Sequence, residues 1–355
     1  MDRKLEAIRV RMKEEGFDGL LITNGYNRRY ITGFTGSSGC CLVTESAADL
    51  ITDFRYIEQA TRQAPAFEIV RHQADMLETV IERAKRYGVK RLGFEKSHVT
   101  YALYQRLAEL ADGIKLVPVS GVVEASRLVK TADELQVIRE ATEIADKAFA
   151  HILNFIKPGV TELAVANELE FYMRSLGAAS SSFDIIVASG ARSALPHGVA
   201  SDKVIEKGEM VTLDFGAYHK GYCSDITRTI AVGEPGEKMR EIYNIVLRAQ
   251  LNGVNKIGAG MTGKEADALT RDIILEAGYG PYFGHSTGHG IGLEVHEGPT
   301  LSVRGEQKLE PGMVVTIEPG IYLEGEGGVR IEDDVVITEN GCEILTRSPK
   351  ELLVI

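Results

Sequence analysis

Three of the chain's eight histidines, His285, His289 and His296, fall within the glycine-rich stretch 284–297. His285 and His289 have the i, i+4 spacing of a helical metal pair. Gly288, Gly290 and Gly292, however, each cost about 1 kcal/mol relative to alanine in a helix. An extended or looped backbone is therefore expected, with glycines that let it pass close to a ligand or another strand. Imidazole in such a place is a metal ligand or a proton carrier.

Carboxylates flank this stretch in a repeated pattern. Residues 207–218 and 310–322 echo one another: each has a turn glycine, a methionine that opens a β-branched run, an acid (Asp214 or Glu318), glycine two positions later and tyrosine four later. Each segment then turns and returns along a second strand with another acid, Asp225 or Glu332. An ionised carboxylate inside an apolar strand is costly unless it is paired or metal-bound. Four carboxylates with one imidazole make a hard, oxygen-rich donor set suited to Mn²⁺, Co²⁺ or a similar ion. Convergence of four negative charges calls for at least two divalent cations, since otherwise the acids would take up protons.

The elements that must position these groups are legible in outline. Up to about residue 129, short strand-like runs (19–23, 40–44, 49–52, 67–71, 91–95, 115–119) alternate with helical patterns (5–15, 55–63, 76–87, 101–110), the signature of a layered α/β domain. Asn24-Gly25 reads as a turn. Thr131 and Glu134 form a capping box that opens a helix to about residue 156. Thr161 opens another to about residue 176, and helices are expected over 237–257 and 263–277. Long helices separating pairs of strands give the second half an α+β character. Two domains are predicted, 1–128 and 129–355.

With 40 Lys+Arg against 51 Asp+Glu, the formal net charge is −11 at pH 7. Such a chain repels nucleic-acid phosphates and anionic lipid surfaces, so neither a nucleic acid nor a membrane is expected as partner. The N-terminal residues lack a signal-peptide core, and no apolar run approaches the ~20 residues of a membrane span. Cys40, Cys41, Cys223 and Cys342 contain no Cys-x-x-Cys pair and read as small apolar residues of a protein in a reducing, cytoplasmic compartment.

The ordered set Asp214, Asp225, His289, Glu318 and Glu332, with separations of 11, 64, 29 and 14 residues, resembles the ligand set of the M24 metallopeptidases, the group of methionine aminopeptidases, aminopeptidase P and prolidases. The resemblance covers the whole chain. It implies a creatinase/prolidase-type α/β N-terminal domain, which methionine aminopeptidases lack, and an α+β pita-bread catalytic domain. It further implies an Xaa-Pro exopeptidase of the aminopeptidase P or Xaa-Pro dipeptidase type, acting on short peptides with proline at the second position, and favours a homodimer. Asp214 would hold one ion, Asp225 and Glu332 would bridge two, and His289 and Glu318 would complete the second. Mn²⁺ is the expected metal, with Co²⁺ or Zn²⁺ as alternatives. Glu318 would also shuttle a proton, His296 would stabilise the carbonyl oxyanion, and His197 and His285 would be pocket imidazoles facing substrate. Arg330 would support the ligand carboxylates.

One departure bears on the substrate. The family's archaeal dipeptidases carry an arginine just past the proline that follows His-Glu, where it would hold a dipeptide carboxylate. Here Pro299 is followed by Thr300 and the nearest arginine is Arg304, so Arg304 is the candidate carboxylate holder, or else the site is open to longer peptides. Tyr218, Tyr322, Tyr30 and Arg55 are further candidates for shaping that choice. The alternative readings are a creatinase-like, metal-independent C–N hydrolase, whose relatives lack the five ligands, and a non-catalytic peptide-binding module on the same fold.

Overall fold

The computed structural model describes residues 3–355; Met1 and Asp2, which open the stretch read above for a signal peptide, lie outside the described residues. By its internal contacts the chain divides into two units, Met1–Arg127 and Leu128–Ile355.

The first unit is built on a six-stranded mixed sheet in the order Glu68–Arg71, Ala48–Thr52, Cys40–Thr44, Gly19–Ile22, Arg91–Glu95, Lys115–Val119. Cys40–Thr44 and Ala48–Thr52 form the expected antiparallel hairpin, whereas Gly19–Ile22 and Arg91–Glu95 run parallel. Leu21, Leu42, Ile51 and Leu92 pack with Val80, Ile81 and Leu107 of the helices Met76–Arg86 and Tyr101–Leu110. Leu20, Cys41, Val43 and Leu50, which alternate with these, are buried as well, so the sheet is covered on both faces. At Asn24 the structure departs from the sequence reading. Its side chain accepts from the Tyr26 and Asn27 amides and caps a helix, Gly25–Thr32, where a turn was expected. An asparagine is as good an N-cap as a turn former, and the apolar contacts of Tyr30 and Ile31 decide between the two.

In the second unit the sequence echo becomes a structural repeat. Glu209–Phe215 pairs antiparallel with Ile226–Val232, and beyond them Ala217–His219 pairs with Tyr222–Cys223. Likewise Val314–Ile317 pairs with Asp333–Thr338, and beyond them Gly320–Leu323 pairs with Gly327–Arg330. Asp225, Glu318 and Glu332 all sit where these long hairpins break between their two strand pairs. At a break the carboxylate is freed from the pleat's alternation and can turn toward a common point.

Each hairpin is backed by two helices. Ala132–Ile152 and Glu162–Ser175 bury Ala145, Phe149, Val165 and Leu169 against Val211, Leu213 and Ile230. Glu237–Lys256 and Gly263–Glu276 bury Val246 and Ile274 against Ile321 and Val329, and Val254 and Ala266 against Val315 and Val335. The Thr131 capping box forms with both of its hydrogen bonds, and a second, Thr262 with Glu265, opens Gly263–Glu276. Strand Gly288–Gly290 lies between Val314–Ile317 and Glu297–Leu301 in a five-stranded sheet, which brings the histidine stretch to the repeat.

Candidate metal centre

The glycines of the histidine stretch are required by the closeness of its neighbours. A Cβ on Gly288 would overlap the carbonyl of Thr316, and one on Gly290 the carbonyl of Gly298. Strand Gly288–Gly290 can therefore lie flat against both adjacent backbones, with His289 projecting toward the acids. The His289 amide donates to Thr316 Oγ1 (3.1 Å), and its ring Nδ1 lies 3.0 Å from the Gly290 carbonyl. Since a carbonyl only accepts, Nδ1 carries the proton. Nε2 is left with its lone pair 3.4 Å from Glu318 Oε1 and 3.8 Å from Asp225 Oδ2.

Ligand atoms of Asp225, His289 and Glu332 lie within 4.8 Å of one another. Asp225 is held through its own amide, which donates to Asp334 Oδ2 (2.9 Å). Glu332 Oε2 accepts from Thr227 Oγ1 (2.6 Å), Glu318 Oε1 from Thr316 Oγ1 (3.1 Å), and Asp214 Oδ2 from Arg330 Nη2 (2.5 Å). In three of these acids the other oxygen, Asp214 Oδ1, Asp225 Oδ1 and Glu332 Oε1, is buried with no hydrogen-bond donor. Orphaned buried carboxylate oxygens are expensive. Burial, reinforced by the neighbouring acids, drives Asp225 and Glu332 well above the usual carboxylate range. Burial likewise lifts Glu318 to about 8 and lowers His289 to about 4, with His296 adding to the latter effect. Unfilled oxygen lone pairs, excess negative charge and a neutral imidazole are what a divalent cation would satisfy, so these residues fit metal ions.

The remaining expected residues fall into two groups. The His296 ring lies tilted at 59° beside that of His289, centroids 4.3 Å apart, and burial together with the nearby His197 lowers its pKa. Both His197 and His296 line a cavity of about 750 Å³ that also takes in the five candidate ligands, His285, Thr300 and Arg330. His285 Nδ1 faces the Ser286 carbonyl and Nε2 accepts from Tyr322 Oη (2.7 Å); burial lowers its pKa to about 4. Arg330 spends its guanidinium on Tyr322 Oη, Asp214 and Thr227 Oγ1.

Arg304 is the exception. It is exposed and outside the cavity lining, in a tight turn where its amide and that of Gly305 donate to Ser302 and where Gly305 packs on Gly263. The packing of that turn holds it away from the cavity, and Thr300 takes the position at the wall. Tyr30 and Arg55 are likewise occupied locally, Tyr30 donating to the Ser126 carbonyl and Arg55 to Asp53. Sequence reasoning missed Thr227, Thr316 and Asp334. Each stands two residues from a candidate ligand, and that spacing is the one signal of them in the sequence.

The model for metallopeptidase family M24 matches residues 136–339, and that for the creatinase/prolidase N-terminal domain matches residues 4–129. The chain belongs to metallopeptidase family M24, with a creatinase-type N-terminal domain and the pita-bread fold in its catalytic part. It is therefore an enzyme of a peptidase family that works with divalent metal ions. It is 59% identical to the uncharacterized peptidase YqhT of Bacillus subtilis over 352 residues, 99% of this chain and 100% of the relative. Among solved structures, an Xaa-Pro dipeptidase from Bacillus anthracis superposes with a TM-score of 0.98 at 60% identity, covering 99% of each chain. An X-Pro aminopeptidase from Thermotoga maritima superposes with a TM-score of 0.90 at 43% identity, covering 97% of this chain and 100% of that one.

Proposed function

We propose that this chain is an Xaa-Pro exopeptidase, hydrolysing the bond between an N-terminal residue and proline with two divalent metal ions. The observation that carries this reading is the set of orphaned carboxylate oxygens beside the His289 lone pair inside one cavity. Asp214 would hold one ion, Asp225 and Glu332 both, and His289 and Glu318 the other, with Mn²⁺ the first choice and Co²⁺ or Zn²⁺ as alternatives. When bound, the ions act as Lewis acids that polarise the peptide carbonyl and make water acidic enough to attack at neutral pH.

An Xaa-Pro bond is a tertiary amide without an N–H, so recognition falls to its carbonyl and to the free α-amino group. Glu318 holds and returns a proton at its carboxylate, which the Thr316 hydroxyl keeps in place. His296 donates an N–H to the scissile carbonyl as negative charge gathers on its oxygen. His197, exposed at the cavity wall, and His285, fixed by Tyr322, orient the peptide on either side. Arg330 donates to Asp214 Oδ2 and so aims its carboxylate. Residues 1–128 would form the creatinase/prolidase-type domain and 129–355 the catalytic one.

Among the described residues the cavity lining has one arginine, Arg330, and its guanidinium is already engaged. With Thr300 at the wall and Arg304 outside it, no arginine or lysine among the described residues is free there to require a proline carboxylate. This supports acceptance of peptides longer than Xaa-Pro, in the manner of an aminopeptidase P. Free thiols, and the absence of any described helix long and apolar enough to cross a membrane, accord with a cytoplasmic enzyme; a homodimer is the expected assembly. The test compares Ala-Pro with Ala-Pro-Ala and longer peptides on Mn²⁺-loaded protein. Hydrolysis of all is expected, and a strict preference for Ala-Pro would make it a dipeptidase. Full activity after exhaustive chelation would overturn the metallopeptidase reading.

A further inference from the structure

Lys130 and Glu297, 167 residues apart in sequence, form an ion pair at 2.8 Å with side chains only 2% and 8% exposed. Both partners are anchored. The Lys130 amide donates to the Gly312 carbonyl, Val129 bridges to Met313, and Lys130 Nζ also donates to the Leu128 carbonyl. Lys130 is thus fixed to the start of the second hairpin. Glu297 directly follows His296, opens strand Glu297–Leu301 and pairs in register with Gly290. Its carboxylate lies against Gly292, where a Cβ would come within 2.5 Å of Oε1. The carboxylate is therefore clamped between the Lys130 ammonium and the backbone of the histidine stretch.

Burying two charges is costly, and a well-packed apolar pair in their place is often as stable or more so. Directional hold, which an apolar pair lacks, is what this pair supplies. His296 has no strand of its own, and its ring direction follows from the backbone at Glu297. We infer that the Lys130–Glu297 ion pair, whose Glu297 also joins the cavity wall, positions His296 by fixing its imidazole toward the cavity. The inference rests on the reading of His296 given under the proposed function.

The exchange Lys130→Met/Glu297→Gln removes both charges together and so avoids leaving one buried alone. It is made in the full-length, metal-loaded enzyme with His296 intact and again with His296→Ala, and kcat, KM and thermal unfolding are measured with an Xaa-Pro peptide. In the intact background kcat should fall at least about tenfold, because small misplacements of a reacting group are costly. KM should move less than about twofold, since ground-state contacts are kept. In the His296→Ala background the exchange should change kcat less than about twofold, the signature of groups acting as one. Lys130→Arg, which keeps the cation, should recover most of the activity. Glu297→Gln alone gives the same comparison between backgrounds should the double exchange not fold. Equal losses in both backgrounds, or no loss in either, would overturn the positioning role. Unchanged kcat in His296→Ala alone would instead remove the reading of His296, and this inference with it.

Discussion

The backbone amide of His289 donates to Thr316 Oγ1 across 3.1 Å, and the same hydroxyl donates on to the Glu318 carboxylate. One side chain thus sets the strand that carries the imidazole and the acid opposite it. Thr316→Val keeps the shape and removes both bonds, leaving a buried N–H without an acceptor. A loss of about 1–3 kcal/mol in stability is expected. Metal affinity or turnover should fall about 10–100-fold, the usual cost of removing a partner of a ligand. Isothermal titration of metal into the chelated protein, alongside denaturant unfolding, checks both.

Gly288→Ala should be as damaging as a change at a ligand, although Gly288 has no functional group. Its Cβ would overlap the Thr316 carbonyl, a backbone atom that cannot move without carrying Glu318 with it. Overpacking of this kind costs about 1–3 kcal/mol. Wild-type metal affinity and melting temperature in this variant would show that the strands separate more freely than the packing indicates.

Arg330→Lys is not conservative here. The guanidinium reaches Tyr322, Asp214 and Thr227 at once, and a single ammonium cannot match that fork. Loss of one or two of these bonds should cost about 1–3 kcal/mol and loosen Asp214, with weaker metal binding as the direct readout. Arg330→Met, which leaves Asp214 buried without its cation, should destabilise by about 3–5 kcal/mol.

Metal removal should make stability depend on pH with a definite sign. In the metal-free protein Asp225, Glu318 and Glu332 have raised pKa values through burial, so the folded state binds more protons than the unfolded one. Their contribution is present at low pH and lost as pH rises through the folded values. For Glu318 that window runs from about 4.5 to about 8. Bound cations take the place of those protons. The drop in melting temperature on chelation should therefore widen as pH rises across that window. A drop that narrowed would show the acids to be ionised and apart without metal.

Much of this centre is legible in the sequence because its signals are local. The echo of 207–218 and 310–322 reflects a repeat that each half forms with its own helices, and Asp214, Asp225, Glu318 and Glu332 follow from it. The glycines around His289 read correctly as a close-packed extended backbone, and the Thr131 capping box as a helix start, since each depends on neighbours within a few residues. Asn24 failed for the same reason: its local preference serves a turn and a cap alike.

The order and oxygen-rich chemistry of the five candidate ligands and the division into two parts are thus legible in the sequence alone. Tertiary structure decided which carboxylate oxygens are left without donors, that Arg304 lies outside the cavity, and that Lys130 meets Glu297, the residue next to His296. Periodicity specifies which face a residue shares with its neighbours two or four positions away. Contacts between residues more than a hundred positions apart depend on how hairpins pack and where their strands break, and only the folded chain fixes those distances.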